Sequence, residues 1–339
     1  MSADLFDGLV GQAPATALLR AALEQQRLAP AYLFSGPDGV GRRMAALCFL
    51  EGVIAGPRGS AAVRRRLQQG NHPDLLWVEP TYSEKGQLVP ASQAAAAGVS
   101  RKAPPQLRLE QVRELSQFLA RRPVEAPRCL VVIEAVETMA EGAANALLKT
   151  LEEPGDGLLI LLSAAADRLL TTIRSRCQVV PFTRLTAAEL TLVLSRLPPD
   201  PEVEAPGHPD AQTKSQIQSQ TLVDQDPPEL LELAAGSPGA LVLHRRQWRA
   251  LPEGLAERLR NLGTSPVEAL ALARDLTEAL EVEQQLWLLQ WWQLWLWRSQ
   301  GDRPQQLRLE TLRRQLLAYV QPRLAWEVAL LELSGAVPL

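Results

Sequence analysis

The sequence predicts a parallel α/β domain, then a small helical lid domain, then an all-helical C-terminal domain, and three observations carry that prediction. Five short runs rich in Val, Leu, Ile and aromatic residues, at 31–35, 75–79, 129–134, 158–163 and 178–182, read as strands. They lack polar alternation, as strands covered on both faces do. Helix-period stripes lie between them: Ala144, Leu147, Leu148 and Leu151 recur at i, i+3, i+4 and i+7, and Leu109, Val112 and Leu119 keep a similar spacing. Beyond about residue 251 only helical patterns occur. Strands alternating with helices place helices on both faces of a parallel sheet.

Taken in order, the first strand runs straight into a glycine-rich turn. The second is entered through Gly70-Asn71-His72-Pro73-Asp74, where Pro and Asp favour a turn over a ligand role for His72. Residues 80–105, with the Ala94 to Ala97 run, read as a surface loop. The helix after the third strand is expected to start at a capping box formed by Thr138 and Glu141 and to stop at Pro154-Gly155. A helical segment near 186–196 gives way to a stretch at 197–228 crowded with Pro, Asp, Gln and Ser, read as an insertion or linker. The expected domains are 1–183, 184–245 and 246–339.

Composition narrows the functional classes. Hydrophobic residues make up 46% and charged residues 22%, values of a folded chain. A net charge of -3 excludes nucleic-acid binding through overall positive charge. Cys48, Cys129 and Cys177 are odd in number and too far apart for a CxxC pair, so free thiols are expected, with no disulfide and no zinc. Met1-Ser2-Ala3-Asp4 does not resemble a secretory signal, and a cytoplasmic location is expected. The most apolar window, 286–297, has 12 residues broken by Gln290 and Gln293, against the roughly 20 a membrane span needs.

The chemistry-bearing motif is Gly36-Pro37-Asp38-Gly39-Val40-Gly41-Arg42-Arg43, a glycine-rich turn opening a helix, where a phosphate-cradling loop belongs. A working loop needs Lys for the β- and γ-phosphates and Ser or Thr for Mg²⁺, but Arg42 and Arg43 hold those positions. Arg43 offers no oxygen to a hard cation. The third strand ends in Glu134-Ala135, where Asp-Glu would organise Mg²⁺ and activate water. Glu134 can stand for the first, but Ala135 cannot polarise water. Both halves of the site therefore read as degenerate.

Asn145-Ala146-Leu147-Leu148-Lys149-Thr150-Leu151-Glu152-Glu153-Pro154 and Thr172-Ile173-Arg174-Ser175-Arg176-Cys177 resemble the signatures of bacterial clamp-loader AAA+ subunits. With Phe6-Asp7-Gly8-Leu9-Val10-Gly11-Gln12 and the His-Pro-Asp segment, the resemblance covers roughly residues 5–182. Keeping Ser-Arg-Cys beside a broken loop is similar to the stationary, non-motor members of that family. The resemblance implies that Arg176, with Ser175 and Cys177 as its motif, points into a neighbour's ATP site and stabilises charge on the transferred phosphoryl group.

It further implies ATP bound by neighbouring motor (gamma/tau) subunits, a delta partner, and contact with the sliding clamp and primer-template DNA through the complex. The family's zinc module is lost, since 48–70 holds only Cys48. Gly236-Ser237-Pro238-Gly239 lacks the family's sensing arginine after Gly-Ser, and Ser163 stands where a sensing Thr would be.

Trp287, Trp291, Trp292, Trp295 and Trp297 make a segment apolar all round, expected to be buried in a core or against neighbouring subunits of a collar. Arg64-Arg65-Arg66 and the span 101–128, with seven basic and three acidic residues, read as solvated faces with an option on DNA. Two rival readings stay open on sequence: an active ATPase in which Arg42 replaces lysine, and a scaffold with no catalytic contribution.

Overall fold

The computed structural model describes residues 4–84, 86–94, 96–99, 104–196, 226–299, 301, 303–318 and 320–335. Most of the expected insertion at 197–228 lies outside them. The described residues form two compact units, 4–196 with Gly236–Gly239, and 226–235 with 240–335.

The first unit is built on a sheet of order β2-β5-β6-β1-β7, with β1 at Ala31–Ser35, β2 at Leu75–Val78, β5 at Leu130–Ile133, β6 at Leu158–Ser163 and β7 at Gln178–Pro181. All pairings in it are parallel. Every residue of β5 and β6 is buried, which is why neither strand alternates. Helices α1 (Ala13–Glu24), α2 (Arg42–Ala55), α3 (Ala61–Gln68), α4 (Leu109–Leu119), α5 (Glu141–Glu152), α6 (Thr171–Arg174) and α7 (Ala187–Arg196) accompany it. One face of the core joins Leu33, Val131, Ile133, Leu159 and Leu161 of the sheet to Leu115 of α4 and Leu147 and Leu151 of α5. Each such side chain contributes roughly 1.5–3 kcal/mol by burial.

Two local expectations are corrected. Residues 80–105 are not all loop: β3 (Thr81–Glu84) and β4 (Gln87–Pro90) pair antiparallel, with Gly86 at φ +81° between them, followed by a 3-10 turn at Ala91–Gln93. The β-branched and aromatic residues Thr81, Tyr82 and Val89 favour pairing there, which the loop-like composition of the wider segment obscured. Thr138 and Glu141 form no capping box. Thr138 ends a 3-10 turn and its hydroxyl donates to Ala135 O at 2.8 Å, while Ala140 occupies the N-cap position of α5. A capping box does open α7, where Thr186 and Glu189 bond reciprocally.

The second unit is helical throughout its described residues: α8 (Pro228–Ala234), α9 (Pro238–Arg249, from Ala240 onward), α10 (Leu255–Arg260), α11 (Pro266–Ala279), α12 (Val282–Ser299), α13 (Arg303–Leu317) and α14 (Pro322–Leu333). In it α11 packs on α14, and α12 packs on α8, α10 and α13. Trp291, Trp292 and Trp326 are among its largest fully buried side chains. Along α12, Trp287, Trp291 and Trp292 are buried in the unit's core and Trp297 is 58% exposed. No helix among the described residues is long and apolar enough to cross a membrane.

Candidate functional site: a closed loop and a surface arginine

The loop at 36–43 hangs from the carboxyl end of β1, where Gly36 N donates to Ser163 O at 3.1 Å across to β6. Gly41 opens α2 from φ +102°, a conformation that glycine reaches without strain. Gln12, 1% exposed, fixes the loop to the chain beyond β7. Its amide nitrogen donates to Thr183 O at 2.8 Å and Val40 O at 3.3 Å, and its oxygen accepts from Thr183 N at 3.0 Å. That bond set explains Gln12 of the Gly11-Gln12 pair.

The two arginines are turned to the protein's own acids. Arg42 is buried and pairs with Asp38 of the same loop. Arg43 Nη1 donates to Glu134 Oε1 at 2.6 Å, and the indole N–H of Trp77 donates to that same oxygen at 2.6 Å. The Arg43 guanidinium also lies 4.7 Å from the centre of the Trp77 ring. Positions 43 and 134, the two that the sequence reading set against a metal site, are thus joined by an internal ion pair. Trp77 escaped the sequence reading, though a Trp in the run Leu75-Leu76-Trp77-Val78 was the available signal. Ala135, beside Glu134, sits at φ +46°.

The loop's carbonyls are engaged from the other side. Ser237 Oγ donates to Asp38 O at 2.6 Å, and Gly239 N donates to Gly39 O at 3.1 Å. A Cβ at position 239 would stand 2.7 Å from Gly39 Cα, so only glycine permits this approach. The Gly-Ser-Pro-Gly segment, expected to lack a sensing arginine, closes on the loop through its backbone and one hydroxyl. Ser163 is fully buried, and its hydroxyl oxygen accepts Ala165 N at 3.2 Å in the turn after β6.

Ser175-Arg176-Cys177 follows the single turn α6. Ser175 caps it, with its hydroxyl donating to Thr172 O at 3.1 Å. Cys177 packs against the sheet core, and burial pushes its thiol up to about 12, so it is protonated at neutral pH. Arg176 is outside that core with a side chain 36% exposed. Its Nη1 donates to Thr172 O at 3.0 Å and its Nη2 to Glu152 Oε1 at 2.8 Å. The loop cluster and Arg176 are therefore separate places, and in each an arginine is paired with a carboxylate of the chain.

The other candidates have structural uses. His72 is buried and its Nδ1 accepts Asp74 N–H at 3.2 Å. Asp74 accepts from Val124, Glu125 and Ala126 N–H groups, each at 2.7 Å. Arg64 pairs with the buried Glu51 and Arg66 with Glu125, so two of the three charges in that basic run serve the fold. Glu51 also accepts Ser60 N at 2.8 Å.

A parallel sheet in this order, a glycine-rich loop after β1 and a Gly-Ser segment closing on that loop define an AAA+-type P-loop domain. Residues 11–186 match the family model described as "DNA polymerase III, delta subunit", and residues 211–333 match "Cyanobacterial DNA polymerase III delta prime, C-terminal domain". The chain belongs to the DNA polymerase III delta-subunit family, on its delta-prime branch.

DNA polymerase III subunit delta' of Pseudomonas aeruginosa is 36% identical over 182 residues, 51% of this chain and 49% of that protein. The Bacillus subtilis subunit of the same name is 35% identical over 171 residues, 49% of this chain and 45% of that protein. The chain thus spans about half the length of these curated relatives. A gamma subunit-related protein of Thermotoga maritima shares the fold, with a TM-score of 0.52 and 18% identity over 95% of this chain and 99% of that one.

Proposed function

We propose that this chain is the delta-prime-type subunit of a clamp loader, helping to place a sliding clamp on primed DNA while neighbouring gamma/tau-type subunits bind and hydrolyse ATP. It binds no nucleotide productively itself and supplies Arg176 in trans. The observation that carries this reading is the contrast between the two arginine sites. Arg43 pairs with Glu134 of the glycine-rich loop site, where a metal and a γ-phosphate would be served, whereas Arg176 stands away from that loop in Ser-Arg-Cys, partly exposed and paired with Glu152. A fixed guanidinium aimed at a neighbour's phosphoryl group stabilises charge there and is worth about 10³ to 10⁵ in rate in well-studied phosphoryl-transfer systems. The partition into an α/β domain, a helical lid and a C-terminal collar, a delta partner, no resident cofactor or zinc, and a cytoplasmic site belong to the same reading.

One observation favours a second reading, in which Arg42 replaces lysine and the loop holds nucleotide: its Nη1 is buried without a hydrogen-bond partner. Calorimetry of Mg-ATP with the isolated chain separates the two. The proposed function expects no binding at millimolar nucleotide, together with clamp loading on primed DNA that fails when the chain is omitted from the reconstituted complex. Micromolar Mg-ATP binding supports the second reading, and full loading without the chain contradicts the first.

A further inference from the structure

We propose that Glu152 is the positioning residue for Arg176, which rests on the reading of Arg176 as the trans-acting arginine. Arg176 is a long side chain at the end of a single helical turn, with considerable rotamer freedom to lose before it can act at a neighbour's phosphate. Two acceptors restrict it. Thr172 O, from its own turn, takes Nη1 at 3.0 Å, and Glu152 Oε1 takes Nη2 at 2.8 Å. Glu152 is the last residue of α5, whose Leu147 and Leu151 are set in the sheet core, so its carboxylate is delivered by a rigid element.

The pair is exposed, with side chains 36% and 53% accessible, and an ion pair of that kind adds little to fold stability. Its effect is geometric. With one acceptor on each terminal nitrogen, the guanidinium is held in one rotamer while Nε and the second hydrogen of each terminal nitrogen remain to meet an anion. Holding a rotamer-rich side chain ready is worth about three- to tenfold in the step that uses it.

The test is a double-mutant cycle in the reconstituted loader: wild type, E152A, E152Q, R176A and E152A/R176A. ATP turnover stimulated by clamp and primed DNA is followed against ATP concentration, and assembly is checked by gel filtration. The expected result is equal assembly and a kcat about three- to tenfold lower for E152A at unchanged KM. E152Q, whose amide oxygen still accepts the bond, stays near wild type, and the double variant equals R176A alone. Wild-type or faster turnover of E152A beside a depressed R176A overturns the positioning role and leaves Arg176 in place. An E152A loss that adds to that of R176A, or a failure to assemble, shows a role unconnected with Arg176 and overturns it too. Unchanged turnover of R176A removes the underlying reading, and the proposal falls with it.

Discussion

Asp74 shows how one buried carboxylate can organise a turn on which a strand depends. Burial, the largest single influence on its titration, acts to raise it, and three backbone N–H bonds together outweigh that and hold it below its ordinary 3.8. A depressed carboxylate contributes stability that is complete above the unfolded value and is lost as pH falls through the folded one. Asp74→Asn, which keeps one acceptor and turns an N–H toward donors, is expected to cost about 2–4 kcal/mol in urea unfolding at pH 7. Its deficit should shrink below about pH 3.8, where the wild type loses its own contribution; a pH-independent deficit would refute the electrostatic account. His72 acts in a higher window. Its value is lowered, chiefly by burial, so stability falls as pH drops below about 6.5 and the unfolded chain takes up the proton first. At this scale the sequence disclosed identities well and partners poorly. The arginines of the loop were legible as misfits, but that Arg43 would close on Glu134 and Trp77 depends on two strands meeting in register, Trp77 opposite Val132, which no local pattern encodes.

Elements were legible where burial fixes the pattern. The runs that became β1, β5 and β6 are apolar because both faces are covered, and the stripe on α5 survives as Ala144, Leu147 and Leu151 in the core. Elements governed by turns were read less well. The hairpin of β3 and β4 sits in a segment whose Pro, Gly and Ala content looks like loop, and the start of α5 is set by the backbone at Ala140 rather than by a side-chain cap. In the helical unit, periodicity identified α12 but not its partners. The Trp326 indole donates to Gln285 Oε1 at 3.0 Å, Gln285 in turn donates to Leu280 O at 2.7 Å, and Trp326 stacks 6.4 Å from Trp292. Trp326→Phe keeps an aromatic ring but orphans a buried amide oxygen, so a loss of about 1–3 kcal/mol is expected. Seven of the eight tryptophans lie in the second unit, Trp77 being the exception, so tryptophan fluorescence follows that unit's unfolding directly. No shift of the fluorescence midpoint would show the amide to be satisfied in another way.

For the whole molecule, the groups of the glycine-rich loop are engaged by other residues of the α/β unit. Ser237 and Gly239 hold the loop carbonyls, Arg42 folds onto Asp38, and Arg43, Trp77 and Glu134 close the far end. Restoring the two loop positions by Arg42→Lys with Arg43→Thr should therefore leave Mg-ATP binding undetectable by calorimetry, because Ala135 and the Ser237 contact remain; recovered micromolar binding would show that the loop residues alone silenced the site. The Ser-Arg-Cys motif was legible in sequence as a candidate, and the pairing of Arg176 with Glu152 is the part that only the fold supplies. The most direct measurement is ATP turnover by the assembled loader, stimulated by clamp and primed DNA, with the wild-type chain and with Arg176→Ala after equal assembly is confirmed. Removal of a transition-state charge partner predicts a fall of roughly a hundredfold or more at the adjacent site. Unchanged turnover would contradict the account and leave the chain a structural member of the complex alone.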